Sequence, residues 1–234
     1  MTSMVTVLVG KDETPFVLHR TPLFQKSSYF RKGLSLDQLN GDDDDMKPLR
    51  LPEIEVRHFK VYTHWVYSSQ LDIAVLGCRI TTGQPPAVSH VSTATEAERN
   101  AARKDNGDLI NDLMRLWAHG DFLGDVQFQN IVSDELVEWL LFKERCLTLL
   151  PTPTFHFVND NTKSECPLRQ ILIDWADLEL TSEKNMKALS EAAPKWLLTG
   201  VLLSKIRRED GDWLEDPREG AVKETYHVRQ VADV

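Results

Sequence analysis

Cysteine is scarce: among 234 residues there are 3, Cys78, Cys146 and Cys166, at scattered spacings. An odd, widely separated set builds neither a disulfide framework nor a zinc site, which needs paired ligands. A basic excess is also missing, with 27 Lys and Arg against 36 Asp and Glu and a net charge of -9. A duplex-binding surface needs clustered cations to displace counterions, so nucleic acid is not an expected partner. Long apolar runs are absent too. Trp196 to Leu203, interrupted by Thr199 and Gly200, falls far short of the roughly 20 residues of a bilayer span. The opening "MTSMVTVLVG" has no basic n-region and no uninterrupted apolar h-region. No secretory signal is read there, no membrane association is expected, and the expected location is intracellular, cytoplasm or nucleus. The chain carries no P-loop, G-x-G-x-x-G, G-x-S-x-G or H-E-x-x-H pattern and no solenoid repeat. No catalytic residue, cofactor site or metal ligand is assigned.

What is present is apolar content of 41%, enough for a core. Val5, Val7 and Val9 fall at alternate positions in a buried strand, and "GKDET" is a turn in which Gly10 takes positive φ. "PFVLHR" is a second strand of a hairpin. Thr21-Pro22 predicts a helix start, and Leu23, Ser27, Phe30 and Leu34 mark one buried helical face, with Gly33 near its end. "NGDDDDMKP" is an exposed acidic loop, since its carboxylates do not follow the alternation of a calcium loop. "PLRLPE" predicts a short strand. "IEVRHFKVYTHWVY" predicts a helix burying Val56, Phe59, Tyr62, Trp65 and Val66 and exposing His64, and "SSQLDI" a brief strand.

Residues 77–108 turn to Thr, Ser, Pro, Ala and charge and read as a low-complexity insertion, mobile or only partly helical. Two helices follow, "DLINDLMRLWAHGDFLGD", ended by Gly120 or Gly124, and "FQNIVSDELVEWLLFKER", facing Phe128, Val132, Leu136, Trp139 and Leu140 inward. "PTPTF" at 151–155 reads as a boundary that does not propagate a helix. Beyond it lie "CPLRQILIDWADLEL" and a helix started by Pro194, then a polar, loosely held tail. Of the tryptophans, five (Trp65, Trp117, Trp139, Trp175, Trp196) read as core and Trp213 as an exposed anchor.

Four blocks, in order, resemble the BTB/POZ domain, an α+β fold with a small sheet flanked by a helical cluster. "VTVLVG" is similar to the family's opening strand. "FVLHRTPLFQKSSYFRKGL" is similar to its F-x-x-H-K/R-x-x-L…S-x-Y/F-F hallmark. "LRLPEIEVRHFKVYTHWVYSSQLDI" resembles the segment that usually ends Y-T-G-x-L, and "LMRLWAHGDFLGD" the L-x-x-L-Y-x-x-A-D-x-L-G helix. "FVNDNTKSECPLRQILIDWA" is similar to a segment found after the domain in many fungal members. The implied organisation is a BTB/POZ domain at 1–146, a linker at 147–155, an α-helical extension at 156–208 and a polar tail at 209–234.

The resemblance implies a non-enzymatic protein-interaction module that forms a homodimer or hetero-oligomer through its first strand and first helix. The contact candidates are Val5, Val7, Arg20, Leu23, Phe24, Tyr29 and Phe30. His19, Asp121 and Gly124 are structural hallmarks, with Asp121 matched to a family aspartate that braces the turn between helices. Where the family places an aspartate before the valines, this chain has Met4, so the charged pocket that some family dimers form with the residue matching Arg20 lacks its acidic half. The alternative implied function is a substrate adaptor of a cullin-3 ubiquitin ligase, although the apolar-x-Glu triplet frequent in such adaptors is absent from "SLDQLNGDDDDM". The least favoured reading is an enzyme using His119, Asp121 or the cysteines. The bland role for His19 is to satisfy backbone groups where a strand turns into a helix.

Overall fold

A computed structural model describes residues 3–38, 48–76, 96–142, 152–179, 187, 190–191, 193–209 and 223–229. Among them are a three-stranded sheet and eight α-helices, a mixed α+β and predominantly helical chain. They group into two compact units, the first from residues 1–78 and 115–129 and the second from 79–114 and 130–234. The aspartate run at 42–45, Cys78, Cys146 and Trp213 lie outside the described residues.

In the first unit, β1 (Met4–Val9) is the central strand, antiparallel to β2 (Thr14–His19) and parallel to β3 (Leu49–Leu51). The two-residue period turns Val5, Val7 and Val9 to one face, where they are 3%, 0% and 0% exposed, beside Leu18 and Leu51. Gly10 adopts φ 75° in the hairpin turn and its amide bonds the Leu51 carbonyl at 3.0 Å, tying turn to β3.

The expected helix from Thr21 to Leu34 is two: α1 (Arg20–Lys26) and α2 (Ser28–Gln38). Ser27 breaks it with extended backbone, φ -115° and ψ 124°. Its Oγ accepts from the Phe30 amide at 3.2 Å, capping α2, and donates to the Leu123 carbonyl at 2.5 Å. A serine at this point offers the backbone a better bond than the helix does. The start also differs. His19 occupies the position before the helix with no side-chain cap, so Thr21 is not the cap. Pro22 falls in the first turn, where its missing N–H orphans nothing. Gly33 lies inside α2 rather than at its end.

α3 (Val56–Ser68) buries Phe59, Tyr62, Trp65 and Val66 as its periodicity predicts, leaves the expected Val56 half-buried, and also buries Val61 and His58, the latter at 1% exposure. "SSQLDI" is not a strand. Ser69 takes φ 55° and ends α3, and the Asp72 carboxylate accepts from the Ala74 amide at 3.0 Å, setting a 3₁₀ turn at Ile73–Leu76.

α4 (Glu96–Leu123) starts well inside the expected insertion. The stretch from Glu96 to Lys104 is polar but rich in Ala, Glu and Arg, and intrinsic helix propensity does not require something to bury. α5 (Val126–Val137) follows, with a π-helical turn over Glu138–Phe142.

The second unit is helical. α6 (Thr152–Asn161) contradicts the expected break at 151–155, because Pro153 sits in a first turn that tolerates it. α7 (Pro167–Glu179) packs on α8 (Lys195–Glu209). A Cβ on Gly200 of α8 would collide with Ile173 of α7, so the Ile173 side chain lies directly on the α8 backbone there. Pro194 starts α8 as expected, its carbonyl accepting from Leu197 and Leu198 at 3.1 and 3.4 Å. Trp117 and Trp175 are core residues, while Trp139 and Trp196 are half-buried rather than core. The tail is not uniformly loose: Lys223–Tyr226 is a 3₁₀ turn and Tyr226 is 2% exposed.

Candidate functional site

The corner at residues 120–125 gathers polar bonds from α2, α3, α4 and α5. Gly124 adopts φ 61° and ends α4 with paired bonds, Gly124 amide to the Asp121 carbonyl at 3.1 Å and Asp125 amide to the Gly120 carbonyl at 3.0 Å. A Cβ on Gly124 would collide with Ser28 Oγ, so α2 approaches this turn too closely for any side chain. Asp125 then caps α5, its Oδ1 accepting from the Phe128 amide at 2.9 Å. Its Oδ2 accepts the Tyr62 hydroxyl at 3.2 Å and the Trp65 indole N–H at 3.1 Å, both from α3. Burial raises the Asp125 pKa, and the three donors and Lys26 work against that shift. Burial and the facing carboxylate push the Tyr62 phenol up. Lys26 covers this corner, its Nζ 4.5 Å from the centre of the Trp65 ring and 3.1 Å from Gln127 Oε1.

Asp121, the expected brace, is exposed and receives Gln129 Nε2 at 3.4 Å. Its carboxylate thus links α4 to α5 and its carbonyl takes part in the turn, while α3 is joined to α5 by the carboxylate of Asp125. An aspartate directly before the apolar stripe of a helix was the signal that could have identified it.

His119 of α4 lies against His58 of α3, ring centroids 5.3 Å apart. Burial, then the neighbouring His58 and Arg115, depress its pKa to about 3, with Glu55 opposing. Burial alone would raise the Glu55 pKa, yet the Arg57 bond at 2.9 Å and the nearby His58, Arg57 and Arg115 hold it below its usual value. His119 and Asp121 therefore serve different neighbours. Cys166 is a half-buried free thiol. Among the described residues no three His, Cys, Asp or Glu side chains gather as metal ligands, and no helix is long and apolar enough to cross a membrane.

His19 is exposed at the end of β2. Its amide donates to the Tyr67 hydroxyl at 2.9 Å, and its Nδ1 lies 3.2 Å from the same oxygen, so its partner is a side chain of α3 rather than local backbone. Of the seven contact candidates, Val5, Val7, Leu23 and Phe30 are packed inside the first unit at 3% exposure or less. Arg20, Phe24 and Tyr29 keep surface. The Arg20 guanidinium stands 4.6 Å from the Phe24 ring centre. Tyr29 stacks at 4.9 Å on Phe122, which is 55% exposed. The outer sheet face adds Met4 at 43% and Val17 at 60%. In the second unit, α8 turns Leu202, Leu203 and Ile206 outward, each about half exposed.

No family model matches the chain, and no curated protein matches it in sequence.

Proposed function

We propose that the chain is a protein–protein interaction module of BTB/POZ type that works by self-association rather than by catalysis. The observation that carries this reading is the aromatic surface of α1, α2 and the end of α4, where the exposed Phe122 and the partly exposed Phe24 and Tyr29 lie with Arg20. Aromatic and arginine side chains are the residue types enriched at the centres of protein interfaces. The order of elements over residues 4–142 supports the reading, being strand, strand, two short helices, strand, helix and then two further helices.

Light scattering on the purified chain at tens of micromolar is expected to give a dimer. Phe122→Ser combined with Tyr29→Ser is expected to give a monomer of unchanged circular dichroism. Leu202→Ser on α8 should leave the dimer intact. A strictly monomeric parent chain overturns the proposal, and a dimer lost only in Leu202→Ser moves the interface to the second unit.

A further inference from the structure

In the second unit, the segment Tyr226-His227-Val228 is held by side chains of α5 and α7 in the way a bound peptide is held. Asn130 of α5 makes two bonds to the backbone of Val228: its Oδ1 accepts from the amide at 2.7 Å and its Nδ2 donates to the carbonyl at 3.3 Å. Such a pair reads an extended backbone without reading its side chain. One helical turn further along, Asp134 meets His227 Nε2 at 2.8 Å. Asp174 of α7 accepts the Tyr226 hydroxyl at 2.6 Å, and is itself steadied by Gln170 Nε2 at 2.8 Å, one turn away. The Tyr226 ring is 2% exposed, and burial followed by the Asp174 charge pushes its phenol up, so the neutral hydroxyl is the form held.

The segment adds no strand to a sheet and belongs to no α-helix; residues 210–222 separate it from α8. Its hold therefore consists of one buried ring and side-chain bonds aimed at three consecutive residues. We propose that Asn130, Asp134 and Asp174 form a linear-peptide site which the chain's own tail occupies in cis. The ligand class is a segment in which a tyrosine closes a 3₁₀ turn and is followed by an imidazole or cationic side chain. Two carboxylates facing the ligand also set a charge rule. A phosphate on the tyrosine would place up to two negative charges against Asp174 in a buried position, so a phosphorylated ligand is excluded. The site is independent of the association surface proposed for the first unit.

The test uses the full chain and a fluorescein-labelled peptide of Lys223 to Arg229. In Tyr226→Ala the tethered tail loses its anchor and the site is vacated. Fluorescence anisotropy is expected to show the peptide binding this variant about tenfold or more tighter than the parent chain, whose tail competes at high effective concentration. Asn130→Ala in the Tyr226→Ala background is expected to weaken binding about tenfold or more, as does phosphotyrosine in the peptide. A folded Tyr226→Ala chain that does not bind the peptide overturns the proposal, as does equal binding of the phosphorylated peptide. Should Tyr226→Ala fail to fold, hydrogen exchange on the parent chain decides. Amides of His227 and Val228 exchanging while those of α7 stay protected support a displaceable tail, and exchange as slow as α7 overturns it.

Discussion

The two units use buried polar groups in opposite ways. The first converges on one carboxylate: Asp125 caps α5 and takes the hydroxyl and indole N–H of Tyr62 and Trp65, more than 50 positions away. The second spreads the task. Arg169 donates to the carbonyls of Asn159 and Thr162 at 2.9 and 2.8 Å and to Thr162 Oγ1 at 3.0 Å, closing the end of α6, while its guanidinium lies 4.8 Å from the Trp196 ring centre. Asp177 takes Ser204 Oγ at 2.8 Å and Lys205 Nζ at 3.0 Å. A hub concentrates loss at one residue, whereas separate clasps fail singly, and substitutions can tell these designs apart.

The largest effect is expected at the hub. Asp125→Ala removes a helix cap and strands two buried donors, a loss of about 3 kcal/mol by urea denaturation. Asp125→Asn, which keeps the cap, should recover about half of it. A loss below about 1 kcal/mol in Asp125→Ala would end the idea of a hub. Next comes Arg169→Ala in the second unit, at about 2 kcal/mol. Arg169→Lys should not rescue it, because an ammonium cannot reach two carbonyls and a hydroxyl in one plane. Rescue by lysine would reduce the clasp to a charge effect.

Gly124→Ala should cost about 2 kcal/mol, since the left-handed backbone and the approach of Ser28 both oppose a side chain. The His119 imidazole contributes less over one pH unit. His119 resists protonation when folded, so its contribution is complete above the unfolded value of about 6.5 and is lost as pH falls from there toward 3. Stepping from pH 7 to pH 6 should lower stability by about 0.7 kcal/mol through this group. His119→Gln should remove that step from the urea midpoint; an unchanged pH dependence would place its source elsewhere. Asp125 has the opposite sign, because its raised pKa lets the folded state take up a proton first as pH falls. Gly200→Ala is the smallest. Its backbone is helical and the obstacle is Cδ1 and Cγ1 of Ile173, so strain of about 1.5 kcal/mol is mostly offset by a gain of about 1 kcal/mol in helix propensity.

Much of the first unit was legible along the chain. Alternating Val5, Val7 and Val9 located β1, and the apolar faces of α3 and α5 followed their 3.6-residue period. Misreadings came where a local rule met a competing bond. Ser27 looked like a small residue on one long helix until the Leu123 carbonyl arrived beside it, and Asp125, which takes three donors beside the single one of Asp121, was not singled out. In the second unit, Pro153 read as a break because the pattern does not say whether a proline falls in a first turn or an interior. The tail read as loose because its anchors, Asn130, Asp134 and Asp174, lie far back in the chain.

The sequence by itself determined the three strands of the sheet, most helices, a capping glycine at 120 or 124 and the absence of a long apolar span, since these depend on residues a few positions apart. Only the tertiary structure decided which polar groups meet: Asp125 with Tyr62 and Trp65, His58 with His119, Asn130 with Val228. It also decided that Val5, Val7, Leu23 and Phe30 are core while Phe24, Tyr29 and Phe122 reach solvent. The physical reason is that periodicity reports burial within one element, whereas a hydrogen bond's partner and a surface's neighbour are set by where distant elements come to rest.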